Sequence, residues 1–304
     1  MNNLIVILGP TGIGKTDLSI EIAQEFKTEI ISSDSRQVYK ELKIGTAVPS
    51  NEQLNKVKHH FIGNKSIYEY YNASMFELEV IEVLNDLYQK FNQVVMTGGS
   101  GMYINAVCDG IDDLPTIDPN LRDDLIKKHK EEGIESLRLQ LKILDPVSYE
   151  KIDLRNPKRI LKALEVSIQT GKPYSSFLTE SKKNRDFDTI KIGLQRERDE
   201  LYERINIRVD QMVEEGLIDE ARRFYKDRHL NSLNTVGYKE LFDFFDGEIT
   251  QEKAIALIKR NSRHYAKRQI SWFSRDKDIT WFHPEGKESI IEYIKSDKFR
   301  DKTN

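Results

Sequence analysis

A single cysteine, Cys108, is all the thiol this sequence holds, so neither a disulfide framework nor a cysteine-rich zinc site can be built from it. No apolar run is long enough to span a bilayer, and Met1-Asn2-Asn3 leads straight into a strand-like stretch, which leaves no space for a secretory leader. Internal repeats and low-complexity tracts are missing as well. There is no overall excess of positive charge: the formal net charge is −3, which in bulk argues against a nucleic-acid binder. Clustering on one face matters more than that sum, however. The expectation is a soluble, cytoplasmic chain of one large or two modest domains.

Against these absences stands one complete motif. Gly9-Pro10-Thr11-Gly12-Ile13-Gly14-Lys15-Thr16 fills every fixed position of G-x-x-x-x-G-K-[ST]. It follows an apolar run at 4–8 and precedes a helix-period segment, which is the context the mechanism needs. The glycines let the chain turn tightly, so that successive N–H groups point into one hollow. That hollow and the helix N-terminus behind it favour an oxyanion. Lys15 adds a mobile positive charge, and the Thr16 hydroxyl can reach a Mg²⁺. The loop binds a phosphate or diphosphate, and its residues do not say whose.

Short apolar strands are expected at 4–8, 29–33 and 93–97, the first and third continuous enough to be buried on both faces. Helix patterns lie between them. Residues 17–26 space Leu18, Ile22 and Phe26 by four. Residues 74–91 open with Ser74-x-x-Glu77, a capping box, and set Phe76, Val80, Val83, Leu84, Leu87 and Phe91 on one side. Such alternation predicts α/β architecture: a P-loop NTPase-like parallel sheet flanked by helices. From 114 to 185 no strand pattern occurs. Asp118-Pro119, Asp145-Pro146 and Asn156-Pro157 read as helix starts, and Gly171-Lys172-Pro173 as a stop, so this stretch is expected to be an all-helical insertion domain between core segments 1–113 and 186–304. A strand at 189–195 returns to the sheet. Helices follow at 199–215, with Leu201, Ile205, Val209, Met212 and Val213 on its apolar face, and at 251–273.

A nucleotide hydrolase also needs an acid at a nearby strand end to help hold Mg²⁺. The third strand instead ends Thr97-Gly98-Gly99-Ser100-Gly101, which is either a second close approach to a ligand or a plain strand-to-helix turn. The second strand ends Ser33-Asp34-Ser35-Arg36-Gln37. Ligands in open α/β sheets bind beyond the carboxyl ends of strands, so Asp34 should share a crevice with Lys15. Its carboxylate there can be a Mg²⁺ partner, a general base or a helix cap. On the last long helix Arg260, Arg263 and Lys267 recur at three- and four-residue spacing beside Arg268. That stripe is read as an RNA-facing surface, against the alternative of a solvated helix face. Tyr265 and Trp272 are expected to face the core, and His59-His60 to pack or hydrogen-bond instead of binding metal.

The phosphate loop, Ser33-Asp34-Ser35-Arg36-Gln37-Val38-Tyr39, Ile44-Gly45-Thr46-Ala47, His59-His60 and Gly98-Gly99-Ser100-Gly101-x-Tyr103 recur in the order of one known family. So do Asn156-Pro157-x-Arg159 with Ala163-Leu164-Glu165, then Val236-Gly237-Tyr238 and Ala266-Lys267-Arg268-Gln269. Over nearly the whole chain the sequence resembles the bacterial type of tRNA dimethylallyltransferase. The resemblance implies transfer of a dimethylallyl group from dimethylallyl diphosphate to N6 of the adenine 3′ of the tRNA anticodon, by a Mg²⁺-using monomer with no membrane partner. It implies that Asp34 is the general base and that Lys15, Thr16 and Arg159 serve the diphosphate and its metal. It further implies tRNA contacts at Asp34, Ser35, Arg36, Gln37, Ser100, Arg122, Lys158, Arg159, Ile160, Leu161 and Lys162. Asn234, Thr235, Val236, Gly237, Tyr238 and Lys239 complete the family's set, to which the basic stripe adds Arg263, Lys267 and Arg268. Ser100 stands where the family usually has Thr, and Lys162 and Lys239 where it often has Arg, which keeps charge but not bidentate geometry. Two rival activities remain: a P-loop kinase of a small metabolite, and prenyl transfer to free AMP.

Overall fold

In a computed structural model of the chain, which describes residues 2–179 and 181–296, six strands form one parallel sheet. They are β1 (Asn3–Leu8), β2 (Ile30–Ser32), β3 (His59–His60), β4 (Gln93–Gly98), β5 (Asp188–Leu194) and β6 (Thr280–Phe282), in the order β3-β2-β4-β1-β5-β6. Leu4, Ile5, Val6 and Ile7 of the central β1 are wholly buried, because helices cover both faces and neither side of the strand meets water. Register sets Leu8 opposite Gly98 of β4 and Gly193 of β5, and Ser32 opposite Thr97. The loops after β1, β2 and β4 therefore leave the same sheet edge.

The sheet and its helices occupy Met1–Asp109 together with Asn184–Asn304, one of two compact units. The helices here are α1 (Lys15–Glu25), α2 (Asn51–Lys56), α3 (Ala73–Tyr88) and α4 (Gly101–Cys108). The other unit, Gly110–Lys183, is built from α5 (Pro119–Glu132), α6 (Ile134–Leu144), α7 (Pro146–Lys151) and α8 (Pro157–Thr170). The first unit then continues with α9 (Arg198–Glu214), α10 (Leu217–Arg223), α11 (Tyr238–Phe245), α12 (Gln251–Phe273) and α13 (Lys287–Lys295).

The helical unit has its own core of Leu125, Leu137, Leu141, Ile160, Ala163 and Leu164. The side chains of Asp118, Asp145 and Asn156 accept N–H bonds from the first turns of α5, α7 and α8, each just before a helix-starting proline. Gly171 closes α8 in the left-handed conformation at φ 68°. Among the described residues no helix is long and apolar enough to cross a membrane.

One expectation about elements fails, and two strands were not expected. The capping box at Ser74 does not form: Asn72 caps α3 by accepting from the Met75 N–H at 2.9 Å, and Glu77 is buried against Arg185 at 2.6 Å. The box needs the Glu77 carboxylate, and a buried guanidinium takes it instead. Strands β3 and β6 go unforetold. His60 of β3 bonds Glu29 at 2.6 Å and His59 bonds the Val57 carbonyl at 2.8 Å, the hydrogen-bonding roles expected of the pair.

Candidate active site

The phosphate loop joins β1 to α1. Gly14 stands at φ 106° as the N-cap of α1, and Gly12 packs so closely on α9 that a Cβ there would lie 2.9 Å from Ile205. A side chain at either position would strain or displace the loop. Lys15 folds back over the loop, its Nζ donating to the carbonyls of Gly9 at 3.0 Å and Pro10 at 2.8 Å. Burial, then the nearby Arg208, pulls its pKa down to about 7 against the opposing pull of Asp34. Ile13 is buried in the core beneath.

Two arginines that the sequence reading passed over flank this loop. Arg208 donates to the Thr11 hydroxyl at 3.2 Å, and Arg204 to the Gly12 carbonyl at 3.0 Å. They are four apart on α9, each one residue before the buried Ile205 or Val209, so the i,i+4 spacing was the signal available. Burial lowers the pKa of Arg208 from its usual value, and Asp34 works against that.

Asp34 follows β2. Its Oδ1 accepts from the N–H groups of Arg36 at 2.8 Å and Gln37 at 3.3 Å, so the capping role is real. Among the described residues no hydrogen bond reaches Oδ2, which leaves that oxygen for other chemistry. Ser100 accepts from the Ser35 N–H at 3.0 Å and donates to its hydroxyl at 3.1 Å, tying the loop after β4 to the loop after β2. Arg36 donates to the carbonyls of Asn231 and Ser232, both at 3.1 Å, which occupies its guanidinium within the protein. Gln37 donates to the carbonyls of Thr46 and Ala47 at 3.2 and 3.0 Å.

That last segment has an anchor of its own. Glu220, 6% exposed, accepts from the backbone N–H groups of Lys43, Ile44 and Gly45 at 3.0, 3.0 and 2.9 Å and from the Tyr238 hydroxyl at 2.6 Å. A carboxylate in a cup of amides is a strong, fully satisfied acceptor. Tyr238 is fully buried and Gly237 buried, whereas Asn234, Thr235 and Val236 are half-buried and Lys239 is exposed.

Lys15, Thr16, Asp34, Arg208, Lys239 and Arg268 line one cavity of about 880 Å³. Among the described residues no group of three His, Cys, Asp or Glu side chains stands together to hold an ion. The Thr16 hydroxyl is a hard oxygen donor, which suits a Mg²⁺ held chiefly by phosphate oxygens and water.

Tyr265, expected in the core, lines this cavity and hydrogen-bonds Ser100, and burial raises its pKa to about 12. Trp272 is 39% exposed, against expectation, because it lies over Gly101 at the surface. Of the basic stripe, Arg263 donates to Asn206 at 2.5 Å, and the adjoining Lys259 pairs with Asp210 at 2.6 Å, so both face α9. Lys267 and Arg268 are exposed. In the helical unit Lys158 and Arg159 are exposed on α8, Leu161 and Lys162 are half-buried, and Ile160 is wholly buried in the core, which removes its side chain from any RNA contact. Arg122 is held by Glu165 through two bonds of 2.8 Å.

A family model described as IPP transferase matches residues 37–276. The chain is 56% identical to tRNA dimethylallyltransferase 2 of Parabacteroides distasonis, over 97% of this chain and 98% of that one. It is 55% identical to tRNA dimethylallyltransferase 1 of Bacteroides fragilis, over 96% and 97%. Among solved structures, a tRNA isopentenylpyrophosphate transferase from Bacillus halodurans superposes with a TM-score of 0.71 at 37% identity, covering 97% of this chain and 96% of that one. A eukaryotic dimethylallyltransferase captured acting on tRNA superposes with a TM-score of 0.83 at 25% identity, over 99% and 80%.

Proposed function

The chain belongs to the IPP transferase family, and on that premise we propose that it transfers a dimethylallyl group from dimethylallyl diphosphate to N6 of the adenine just 3′ of a tRNA anticodon. The observation that carries this reading is the shared cavity, lined by the anion-binding loop with Lys15 and Arg208 and by Asp34.

The chemistry follows from that placement. The N6 lone pair is delocalised into the ring, so the amine is a weak nucleophile. It becomes cationic as it attacks the allylic carbon, and only then is its proton acidic. An aspartate of ordinary basicity suffices to take it. The leaving diphosphate gathers charge, which Lys15, Arg208 and the loop amides meet, with Arg159 of the helical unit as a further partner expected from the family motif. Mg²⁺ held by the diphosphate, water and the Thr16 hydroxyl would neutralise part of that charge. A stacked adenine cannot reach such a crevice, so it must be flipped out of the anticodon loop. Lys239, Lys267 and Arg268, with Lys158 and Arg159, supply positive charge for the RNA backbone. The protein works as a cytoplasmic monomer.

The test is incubation of labelled dimethylallyl diphosphate with total tRNA, with AMP, and with tRNA plus ATP. Label is expected in tRNA alone and without ATP. Label in AMP, or ATP consumption, would overturn the reading.

A further inference from the structure

The basic helix α12 carries one polar side chain that turns inward. Gln269 is 6% exposed. Its Oε1 accepts from the Thr11 N–H at 2.9 Å, and its Nε2 donates to the Gly99 carbonyl at 2.9 Å. Both ends of one amide are thus engaged, one with the loop after β1 and the other with the loop after β4. There is no slack around it: a Cβ on Gly99 would stand 2.2 Å from Nε2. Its neighbours on the same face of α12 grip the second loop as well. Tyr265, four residues earlier, bonds Ser100, and Trp272, three later, covers Gly101, where a Cβ would meet the indole at 2.3 Å.

The bond to Thr11 bears on the phosphate loop. In such loops the N–H groups converge on the anion. Here the Thr11 N–H is committed to Gln269, and the Thr11 hydroxyl accepts from Arg208 of α9. The loop is therefore pinned from two helices at one residue. Unlike its neighbours Lys267 and Arg268, Gln269 is not placed to meet RNA, although it closes the same Ala-Lys-Arg-Gln motif.

We propose that Gln269 is a positioning residue for the diphosphate donor: it fixes the phosphate loop against the Gly99 loop, and so sets the distance from the bound diphosphate to the Asp34 side of the cavity. This rests on the prenyl-transfer reading of the cavity. Displacing the amide should loosen the donor site while leaving the RNA-facing side chains of α12 in place.

The experiment compares wild type with Gln269→Met, which keeps an unbranched chain of similar volume and removes both bonds. Three quantities are read: affinity for inorganic diphosphate by calorimetry, tRNA affinity by filter binding, and KM against kcat for prenyl transfer. The expected result is a rise of about 5- to 30-fold in the diphosphate Kd, the factor for one or two lost interactions of ordinary strength. Donor KM should rise with it and tRNA affinity should stay unchanged. Lys267→Ala should do the reverse, weakening tRNA and sparing diphosphate. Unchanged diphosphate affinity in Gln269→Met, or a parallel loss of both ligands by a folded variant, would overturn the proposal. Should Gln269→Met melt below the assay temperature, Gly99→Ala pushes on the same Nε2 from its partner side; donor-selective weakening there supports the proposal, and its absence overturns it. Diphosphate affinity can be read whether or not the wild type prenylates tRNA, so failure of the functional reading and failure of this one are told apart.

Discussion

Replacing Asp34 by asparagine separates the capping role of its carboxylate from the general-base role proposed for it. Oδ1 accepts from Arg36 and Gln37 and so holds the turn after β2, while Oδ2 is available for the proton of N6. The asparagine amide oxygen can accept the same two N–H bonds, and Asn is as good a cap as Asp, so the fold should melt within a few degrees of wild type. The amide cannot take a proton. General-base loss costs about 10² to 10⁴ in rate, or about 2.7 to 5.5 kcal/mol on the barrier at 1.36 kcal/mol per decade. Affinity for the anionic donor should hold or tighten, because a negative charge that acts on Lys15 and Arg208 has been removed. Asp34→Ala adds a second loss: both N–H groups forfeit their acceptor, which costs a further ~0.5–2 kcal/mol of stability. The assay is single-turnover prenyl transfer at saturating tRNA and donor, beside thermal melts of both variants. Near-normal turnover by a folded Asp34→Asn protein, with only Asp34→Ala impaired, would reduce Asp34 to a cap and refute the reasoning.

Other expectations follow from the same geometry. Arg208→Met should weaken inorganic diphosphate binding by about 10- to 150-fold, the worth of a charged hydrogen-bond donor, and calorimetry checks this; an unchanged Kd would exclude Arg208 from the anion site. Lys267→Ala should flatten the log–log salt dependence of tRNA binding by roughly 0.7 to 0.9 of a unit, and an unaltered slope would return that residue to the solvated face. Glu220→Gln should lower stability by about 1–3 kcal/mol, seen as a lower urea midpoint at constant m-value, because an NH₂ group then opposes the amides of Lys43, Ile44 and Gly45.

Much of this molecule could be read along the chain, and the failures have two causes. The starts of α5, α7 and α8 were legible because cap and proline are adjacent in sequence, and α12 because its period runs unbroken over Gln251–Phe273. The phosphate loop and Asp34 could be placed at one sheet edge because parallel strands end on the same side. Strands of two or three residues, such as β3 and β6, are too short to show any period. Side-chain destinations were hidden wherever the partner is remote. Glu77 leaves its expected box for a residue 108 positions on, Gln269 reaches back 258 positions to Thr11, and Glu220 reaches back 175 to Gly45. The period of Ala266 and Phe273 marks the face of α12 that Gln269 shares, but nothing local to it names Thr11 and Gly99 as its partners.

The position of β5 also bears on how the chain folds as it is made. The central strand β1 has two partners: β4, complete by Gly98, and β5, which begins at Asp188. Between them lies the whole of Gly110–Lys183, a segment with its own core that has no need of the sheet to begin folding. At about 5–20 residues per second the ribosome takes about 4–15 s to traverse it. Throughout that interval β1 offers one unpaired edge, an apolar strand with its hydrogen-bonding groups exposed. A nascent chain stalled within the segment would carry that open edge for as long as it waits. Pauses placed between β4 and β5 should therefore raise aggregation more than equal pauses placed after Leu194, where the edge of β1 is already covered.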